Sequence, residues 1–224
     1  MDGSSFPREP DDALPDGDRE RRRGNRLRTI CRVALITRAG DVGLWRVRNI
    51  SDTGLMLTAN VAVRTGEAIE IGLSETVSIA GRIVWAEKGN CGVAFTQKIN
   101  AAELLHSLAV EQRAKRHRAL RLPVEARAVL IAGTERYRID LINLSQHGAS
   151  FHTNDDVKPG LEVDLSLCDG KLRRRALIRW IRAQRGGLWF SHPLSLTDLE
   201  SVKRLLRGSS DMDVTPPSGD PAHL

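Results

Sequence analysis

Short runs of apolar and β-branched residues, separated by turn residues, fill most of the first half of the chain. Gly40, Gly66 and Gly89 stand between several of these runs. Short strands at regular spacing with turns between them predict a small antiparallel barrel. The six predicted strands cover Ile30–Leu35, Leu44–Ile50, Leu55–Thr58, Ala68–Leu73, Val77–Trp85 and Cys91–Phe95.

The periodicity then changes from that of strands to that of a helix. Leu104, Leu105 and Leu108 fall on one face of a segment over Asn100–Lys115. Asn100 occupies the N-cap position, and Glu103 follows three residues later, as in a capping box. The first half of the chain therefore predicts a barrel followed by one helix.

The second half repeats this order of elements. The segment from Ile83 to Phe95 recurs from Ile178 to Phe190 at a constant offset of 95, with a tryptophan and a closing Gly-x-x-Phe in the same places. A repeat of this length indicates two copies of one domain. Because Trp85 and Trp180 stand mid-strand in apolar runs, both are expected in the cores. The second set of elements is predicted as strands over Val124–Leu130, Arg136–Leu144, Ala149–His152, Glu162–Leu167, Leu172–Ile181 and Gly187–Ser191, and a helix over Leu196–Leu206 with Thr197 as its N-cap.

The predicted fold class is all-β with helices: two tandem six-stranded antiparallel barrels, each followed by a C-terminal helix. The two domains are expected over residues 19–112 and 113–207. Residues 1–18 and 208–224 are polar and contain several Asp, Pro and Gly, so they are predicted to be disordered tails. Because the first helix leads almost directly into the second domain, we expect the two barrels to hold a fixed relative orientation.

Charge is distributed unevenly along the chain. The formal net charge is +6, but residues 1–18 carry −5 and residues 208–224 carry −3, so residues 19–207 carry +14. A body this basic favours an anionic partner, and nucleotides, nucleic acids and anionic membranes are the classes to separate. Aromatic residues make up only 4% of the chain. Without interleaved aromatics or a recognition helix, no DNA or RNA partner is expected.

Several other classes are disfavoured. The three cysteines are scattered and show no C-x-x-C spacing, so neither a disulfide framework nor a metal site is predicted. No phosphate-binding glycine loop or nucleophile–histidine set stands out, so we expect neither an enzyme nor a cofactor. The chain starts without an apolar signal segment and has no apolar run of about 18 residues, which favours the cytoplasm and no membrane span.

Two repeated polar motifs carry ligand chemistry. An arginine-rich arm precedes each copy, and an Asn-x-Ser-x-x-Gly turn begins 22 or 23 residues after the last arm arginine. A guanidinium forks onto phosphate oxygens and stacks on aromatic rings. The amide and the hydroxyl offer hydrogen bonds, and the glycine permits a positive φ and a close backbone approach. The candidate ligand-binding residues are Arg22, Arg26, Asn49, Ser51 and Gly54 in the first copy, and Arg118, Arg121, Asn143, Ser145 and Gly148 in the second.

These motifs, together with the segment Gly81–Trp85 and the closing Gly92–Phe95, resemble the PilZ domain family. The resemblance covers residues 19–110 and, more loosely, 113–207. Family members are six-stranded barrels with a trailing helix, and many bind the bacterial second messenger cyclic di-GMP. The resemblance implies roles for all five first-copy residues. The two arm arginines would hold phosphates and stack on guanines, the Asn and Ser would contact a guanine and the phosphate-ribose backbone, and the Gly would keep the surface clear.

The second copy departs from the family pattern. The residue four before Arg121 is His117 rather than arginine. Arg116 or Arg118 would have to take its place from a position shifted by one residue. We therefore expect the first barrel to bind the ligand, and the second to bind it weakly or to serve as a structural or partner-binding module.

The predicted function is that of a cytoplasmic receptor. Binding of cyclic di-GMP would change the conformation of the arm and of one barrel relative to the other, and so signal to a protein partner of unknown identity. Two alternatives stay open. One is a protein-interaction module for motility or envelope machinery that needs no nucleotide, and the other, less favoured, is a basic nucleic-acid-binding protein.

Overall fold

The computed structural model describes residues 27–114, 119–168 and 170–207. Both segments predicted to be disordered tails therefore lie outside the described residues. No helix within the described ranges is long and apolar enough to span a membrane.

The first half of the chain forms a closed six-stranded antiparallel barrel in the order β1-β2-β3-β6-β5-β4. Inward apolar residues alternate with outward polar ones, as on β4, where Ile69 and Ile71 are buried and Glu70 is exposed. A single helix follows, and Asn100 caps it, accepting a bond from the Glu103 amide at 3.1 Å. The elements are β1 (Leu27–Arg38), β2 (Asp41–Ser51), β3 (Gly54–Thr58), β4 (Ala68–Gly72), β5 (Ser78–Glu87), β6 (Asn90–Phe95) and α1 (Ala101–Ala114).

The second half forms a second closed barrel in the order β10-β11-β12-β9-β8-β7, which matches that of the first. The predicted pair of six-stranded antiparallel barrels is thus confirmed. The elements are β7 (Leu122–Ala132), β8 (Glu135–Ser145), β9 (Gly148–His152), β10 (Glu162–Leu167), β11 (Leu172–Arg182), β12 (Arg185–Phe190), α2 (Leu196–Leu199) and α3 (Val202–Leu206).

The prediction of a single helix after the second barrel, with Thr197 as its N-cap, is wrong. Two short helices take its place, and Ser195, not Thr197, caps the first in a reciprocal box with Asp198. Ser201 interrupts the helix with an extended backbone and caps α3 through the Arg204 amide. Its hydroxyl also donates to Asp41 of the first barrel at 2.6 Å. Because this bond fixes Ser201 against β2, the helix breaks there.

Trp85 and Trp180 lie outside the cores, contrary to the prediction. Their exposed fractions are 42% and 40%. The strand register is irregular just before each tryptophan. Each tryptophan therefore points outward, although the residue two positions earlier, Ile83 or Ile178, points inward. Each indole covers a glycine on the next strand. A Cβ at Gly92 would lie 2.0 Å from Trp85 Nε1, and a Cβ at Gly187 would lie 2.1 Å from Trp180 Nε1.

The two barrels are joined through β2 and the C-terminal helices. Leu44 of the first barrel belongs to the apolar cluster of the second, and Val42 packs against that cluster. Trp45 lies in the core of the first barrel, and its indole N–H donates to the Glu200 carbonyl at 2.9 Å. The side chain of Glu200 is only 6% exposed. We call this contact between β2 and residues 196–207 the inter-barrel seam.

Polar groups of the seam satisfy one another. The Glu200 carboxylate accepts the backbone N–H of Asn60 at 2.9 Å and pairs with Arg204 at 3.3 Å. Asp41 accepts the Ser201 hydroxyl at 2.6 Å and the Lys203 backbone N–H at 3.1 Å. A buried carboxylate is tolerated only when its oxygens have such partners. These bonds therefore favour one position of the C-terminal helices against β2.

Gly43→Ala tests the seam. A Cβ at Gly43 would lie 1.9 Å from the Glu200 carbonyl oxygen, so the helices must move away from β2. We expect a loss of about 1–3 kcal/mol in the free energy of unfolding, measured by thermal and urea unfolding. Gly72→Ala is the control, because the nearest atom to its Cβ would be 3.4 Å away. Equal unfolding midpoints for the two variants would contradict a close seam.

Candidate ligand-binding site

The two Asn-x-Ser-x-x-Gly turns have the same internal hydrogen bond. The Ser51 hydroxyl donates to the Gly54 carbonyl at 3.1 Å, and the Ser145 hydroxyl donates to the Gly148 carbonyl at the same distance. In both barrels the serine therefore closes the turn between the second and third strands. The hydroxyl oxygen of Ser51 is partly exposed and keeps acceptor capacity, whereas Ser145 is buried.

The turn glycines are required by close strand pairing. A Cβ at Gly54 would lie 2.2 Å from the Val93 carbonyl oxygen, and one at Gly148 would lie 2.1 Å from that of Leu188. Each glycine thus makes room for a carbonyl of the neighbouring strand. Neither is among the residues with positive φ, so the turns do not use that freedom of glycine.

Arm and turn meet directly in the second barrel. The Arg121 Nη1 donates to the Asn143 Oδ1 at 2.8 Å and to the Ser150 Oγ at 2.9 Å. The last arm residue is thereby held over the outer face of β8 and β9. Arg118 lies outside the described residues.

In the first barrel, the arm arginines Arg22 and Arg26 also lie outside the described residues. The first described residue of β1, Leu27, pairs with Ile50, as Leu122 pairs with Leu144 in the second barrel. Strand β1 therefore begins beside the residues that carry the turn. The Asn49 amide contacts the Met56 sulfur at 3.9 Å, and sulfur is a weak acceptor that a ligand oxygen would readily replace.

Each turn asparagine belongs to a row of outward-facing residues across four strands. In the first barrel Asn49 pairs with Met56, Met56 with Gly92, and Gly92 with Trp85. The same register in the second barrel gives the row Asn143, Ser150, Gly187 and Trp180.

The tryptophan therefore shares the outer face with the asparagine, which the sequence analysis missed. The signal that could have revealed it is the spacing of seven residues between tryptophan and glycine in both copies. A glycine opposite a large aromatic residue on the next strand lets the ring lie flat across it.

The Cys91 thiol is buried in the first barrel. Burial, with a smaller contribution from Glu67, raises the pKa of the Cys91 thiol to about 11, so the thiol is protonated at neutral pH. Among the described residues, no three His, Cys, Asp or Glu side chains cluster as the ligands of a metal would. In the second barrel, the row and the Arg121 side chain bonded to it supply hydrogen bonds, a cationic charge and an aromatic surface, which are binding groups.

Comparison with known families decides the affiliation of both barrels. The PilZ domain profile matches residues 20–109 and again residues 112–208. The chain belongs to the PilZ domain family. A comparison with curated proteins found no match.

Several solved structures show low similarity to this chain. The PlzA protein of Borreliella burgdorferi in complex with c-di-GMP is 11% identical, with 85% of this chain and 95% of that chain covered and a TM-score of 0.35. The Bacillus subtilis inhibitor of motility MotI/DgrA is 13% identical, with coverages of 80% and 94% and a TM-score of 0.31. YcgR of Escherichia coli in complex with c-di-GMP is 14% identical, with coverages of 78% and 80% and a TM-score of 0.28.

The turn geometry predicts different costs for two substitutions in the PilZ motif. Gly54→Ala forces β3 and β6 apart and should lower the free energy of unfolding by about 1–3 kcal/mol. Ser51→Ala removes one partly exposed hydrogen bond and should cost about 0.5–1.5 kcal/mol. Urea unfolding of both variants measures the difference. A Gly54→Ala protein as stable as the unsubstituted one would show that the strands do not approach as closely as 2.2 Å implies.

Proposed function

We propose that this PilZ protein is a receptor for cyclic di-GMP and that the ligand binds at the Asn49 turn of the first barrel. The observation that carries the proposal is the contact of Arg121 with Asn143 and Ser150. In the second barrel the last arm arginine thus reaches the outer face beside the turn asparagine, which supports an equivalent placement in the first. The matching pairing of Leu27 with Ile50 supports the same approach in the first barrel.

The residues at this site suit a guanine dinucleotide. Two arginines four residues apart, Arg22 and Arg26, offer bidentate bonds to the phosphates and flat cations to stack on guanine. Asn49 offers an amide to a guanine edge, and the Ser51 oxygen accepts a bond while its hydrogen stays on Gly54. Further along the row, Trp85 adds an exposed aromatic surface.

The second barrel is the weaker binder in this proposal. Its turn oxygen, Asn143 Oδ1, is already bonded to Arg121, and a ligand would have to displace that contact. Ser145 is buried, which limits access to its hydroxyl. His117 replaces the first arginine of the motif, so one phosphate contact would come from a shifted side chain.

Strand β2 connects the proposed site to the seam. Its last residues, Asn49 and Ser51, belong to the turn, and its first half, from Asp41 to Trp45, contacts the C-terminal helices of the second barrel. We propose that ordering of the arm beside β2 biases the seam, so that ligand binding changes how the two barrels are presented to a protein partner. The partner and the cytoplasmic location remain predictions.

Arg26→Ala tests the ligand and the arm together. Loss of a charge-assisted hydrogen bond costs about 1.5–3 kcal/mol, so calorimetry with cyclic di-GMP should show affinity reduced about 10- to 100-fold. Arg136→Ala is the charge-matched control, because Arg136 is exposed at the opposite end of β8 from Asn143. Equal heats from the Arg26 variant and the unsubstituted protein, or no heat from either at tens of micromolar, would refute the proposal.

A pair of asparagine variants separates the two barrels. Asn49→Ala should abolish the tighter binding event, and Asn143→Ala should leave it intact, because the proposed site lies at Asn49 and the Asn143 oxygen is already bonded to Arg121. Equilibrium dialysis gives the number of dinucleotides bound per chain for each variant. If Asn143→Ala caused the larger loss, the second barrel would be the principal site.

The nucleotide-independent interaction module makes a different prediction. A partner retained equally by the protein with and without cyclic di-GMP, and by the Arg26→Ala variant, would favour that module over a receptor. A receptor should lose or gain the partner when the ligand is added.

A further inference from the structure

The second barrel carries a surface, beside its own turn asparagine, that the proposed site at Asn49 does not use. On the outer side of β11 and β12 lie Arg179, Trp180, Arg182, Arg185 and Trp189, which we call the Trp189 face. Trp189 is 54% exposed, and the Arg179 guanidinium carbon lies 5.8 Å from the centre of its ring. Large aromatic side chains held open to solvent beside cations mark interaction surfaces.

Strand register sets the spacing of the two indoles. Trp180 on β11 pairs with Gly187 on β12 and lies over it. Trp189 comes two residues after Gly187 on β12. Residues two apart on a strand point to the same side and are roughly 7 Å from each other. The face therefore offers two aromatic surfaces in sequence, flanked by Arg182 and Arg185, which pair across the strands.

The positive charges of the arginines on this face are not neutralised by any acidic side chain that the structure describes. Among the described residues, Arg182 and Arg185 have no hydrogen-bond or ion-pair partner, and Arg179 contacts only the Trp189 ring. In the neighbouring triplet Arg173–Arg175, Arg174 pairs with Asp198 at 3.3 Å and Arg175 with Glu162 at 2.6 Å. The arginines around the tryptophans are not neutralised in this way by any described residue.

The first barrel shows that the fold does not require such a face. At the offset of 95, Arg179 and Trp189 correspond to Val84 and Ala94, and Arg182 and Arg185 correspond to Glu87 and Asn90. Only the tryptophan that covers the glycine, Trp85 or Trp180, is common to both. Four of the five residues of the Trp189 face are therefore specific to the second barrel.

We propose that the Trp189 face binds single-stranded nucleic acid. Bases of any identity stack on exposed aromatic rings, and arginines follow the phosphates, which is how sequence-tolerant single-strand binding works. The low aromatic content argued against this partner, but the structure exposes three of the four tryptophans and places two of them between free arginines. A membrane anchor would need further apolar residues around the indoles, where this face has arginines and Gly187.

The binding reaction needs no cyclic di-GMP, and it concerns the other barrel. The proposal therefore does not depend on the receptor function. Asn49→Ala should remove dinucleotide binding and leave oligonucleotide binding unchanged, so that failure of either proposal is recognised separately.

Fluorescence anisotropy with labelled 15-nucleotide dT and rU strands tests the proposal on the full chain without dinucleotide. Trp189→Ala should weaken binding about 5- to 100-fold, because one stacked base is lost. Trp189→Phe should restore most of the affinity. Arg182→Ala with Arg185→Ala should reduce the slope of log K against log salt by about 1.4, from two fewer phosphate contacts on a single strand.

Two controls decide whether charge alone explains any binding. Arg64→Ala with Lys98→Ala removes the same charge from exposed positions of the first barrel and should leave affinity nearly unchanged. Inorganic polyphosphate, which has no bases, should compete poorly. The proposal is overturned if Trp189→Ala binds like the unsubstituted protein, if the control pair causes an equal loss, or if polyphosphate or phosphatidylserine vesicles compete as well as the oligonucleotide.

Discussion

Strand β2 is buried on both faces over residues 43–45, and the arrangement of the two barrels depends on this. Adjacent residues of a strand point to opposite sides, so Leu44 packs into the apolar cluster of the second barrel while Trp45 packs into the core of the first. Gly43 leaves room for the Glu200 carbonyl. The tandem is thus joined by shared packing, and the C-terminal helices contact both barrels.

The proposed ligand site and the seam lie on the same strand. Asn49 comes four residues after Trp45, about 13 Å along β2. Trp45 is bonded to Glu200 and Asn49 contacts Met56. A ligand that orders the arm against one end of β2 would act on an element whose other end is held by the second barrel. Such an element can transmit a small change because packed interfaces shift between discrete arrangements.

The two copies have kept one framework and diverged in their outer faces. The serine–glycine bond of the turn, the glycine against a strand carbonyl and the tryptophan over a glycine occur in both. These are backbone and packing requirements of the barrel. The side chains around them differ: Asn49 contacts Met56 in the first copy, whereas Asn143 is bonded to Arg121 and lies beside the Trp189 face in the second. Duplication of this kind allows one chain to offer two binding chemistries.

The amino-acid sequence by itself determined the repeat, the twelve strands, the Asn100 cap and the polar motifs, because these depend on local hydrogen bonding and on alternation along single strands. Tertiary structure decided what depends on contacts between strands. Irregular register turned Trp85 and Trp180 outward, and the bond from Ser201 to Asp41 divided the last helix. The Trp189 face combines residues of two strands, so its aromatic and basic groups become neighbours only when β11 and β12 pair.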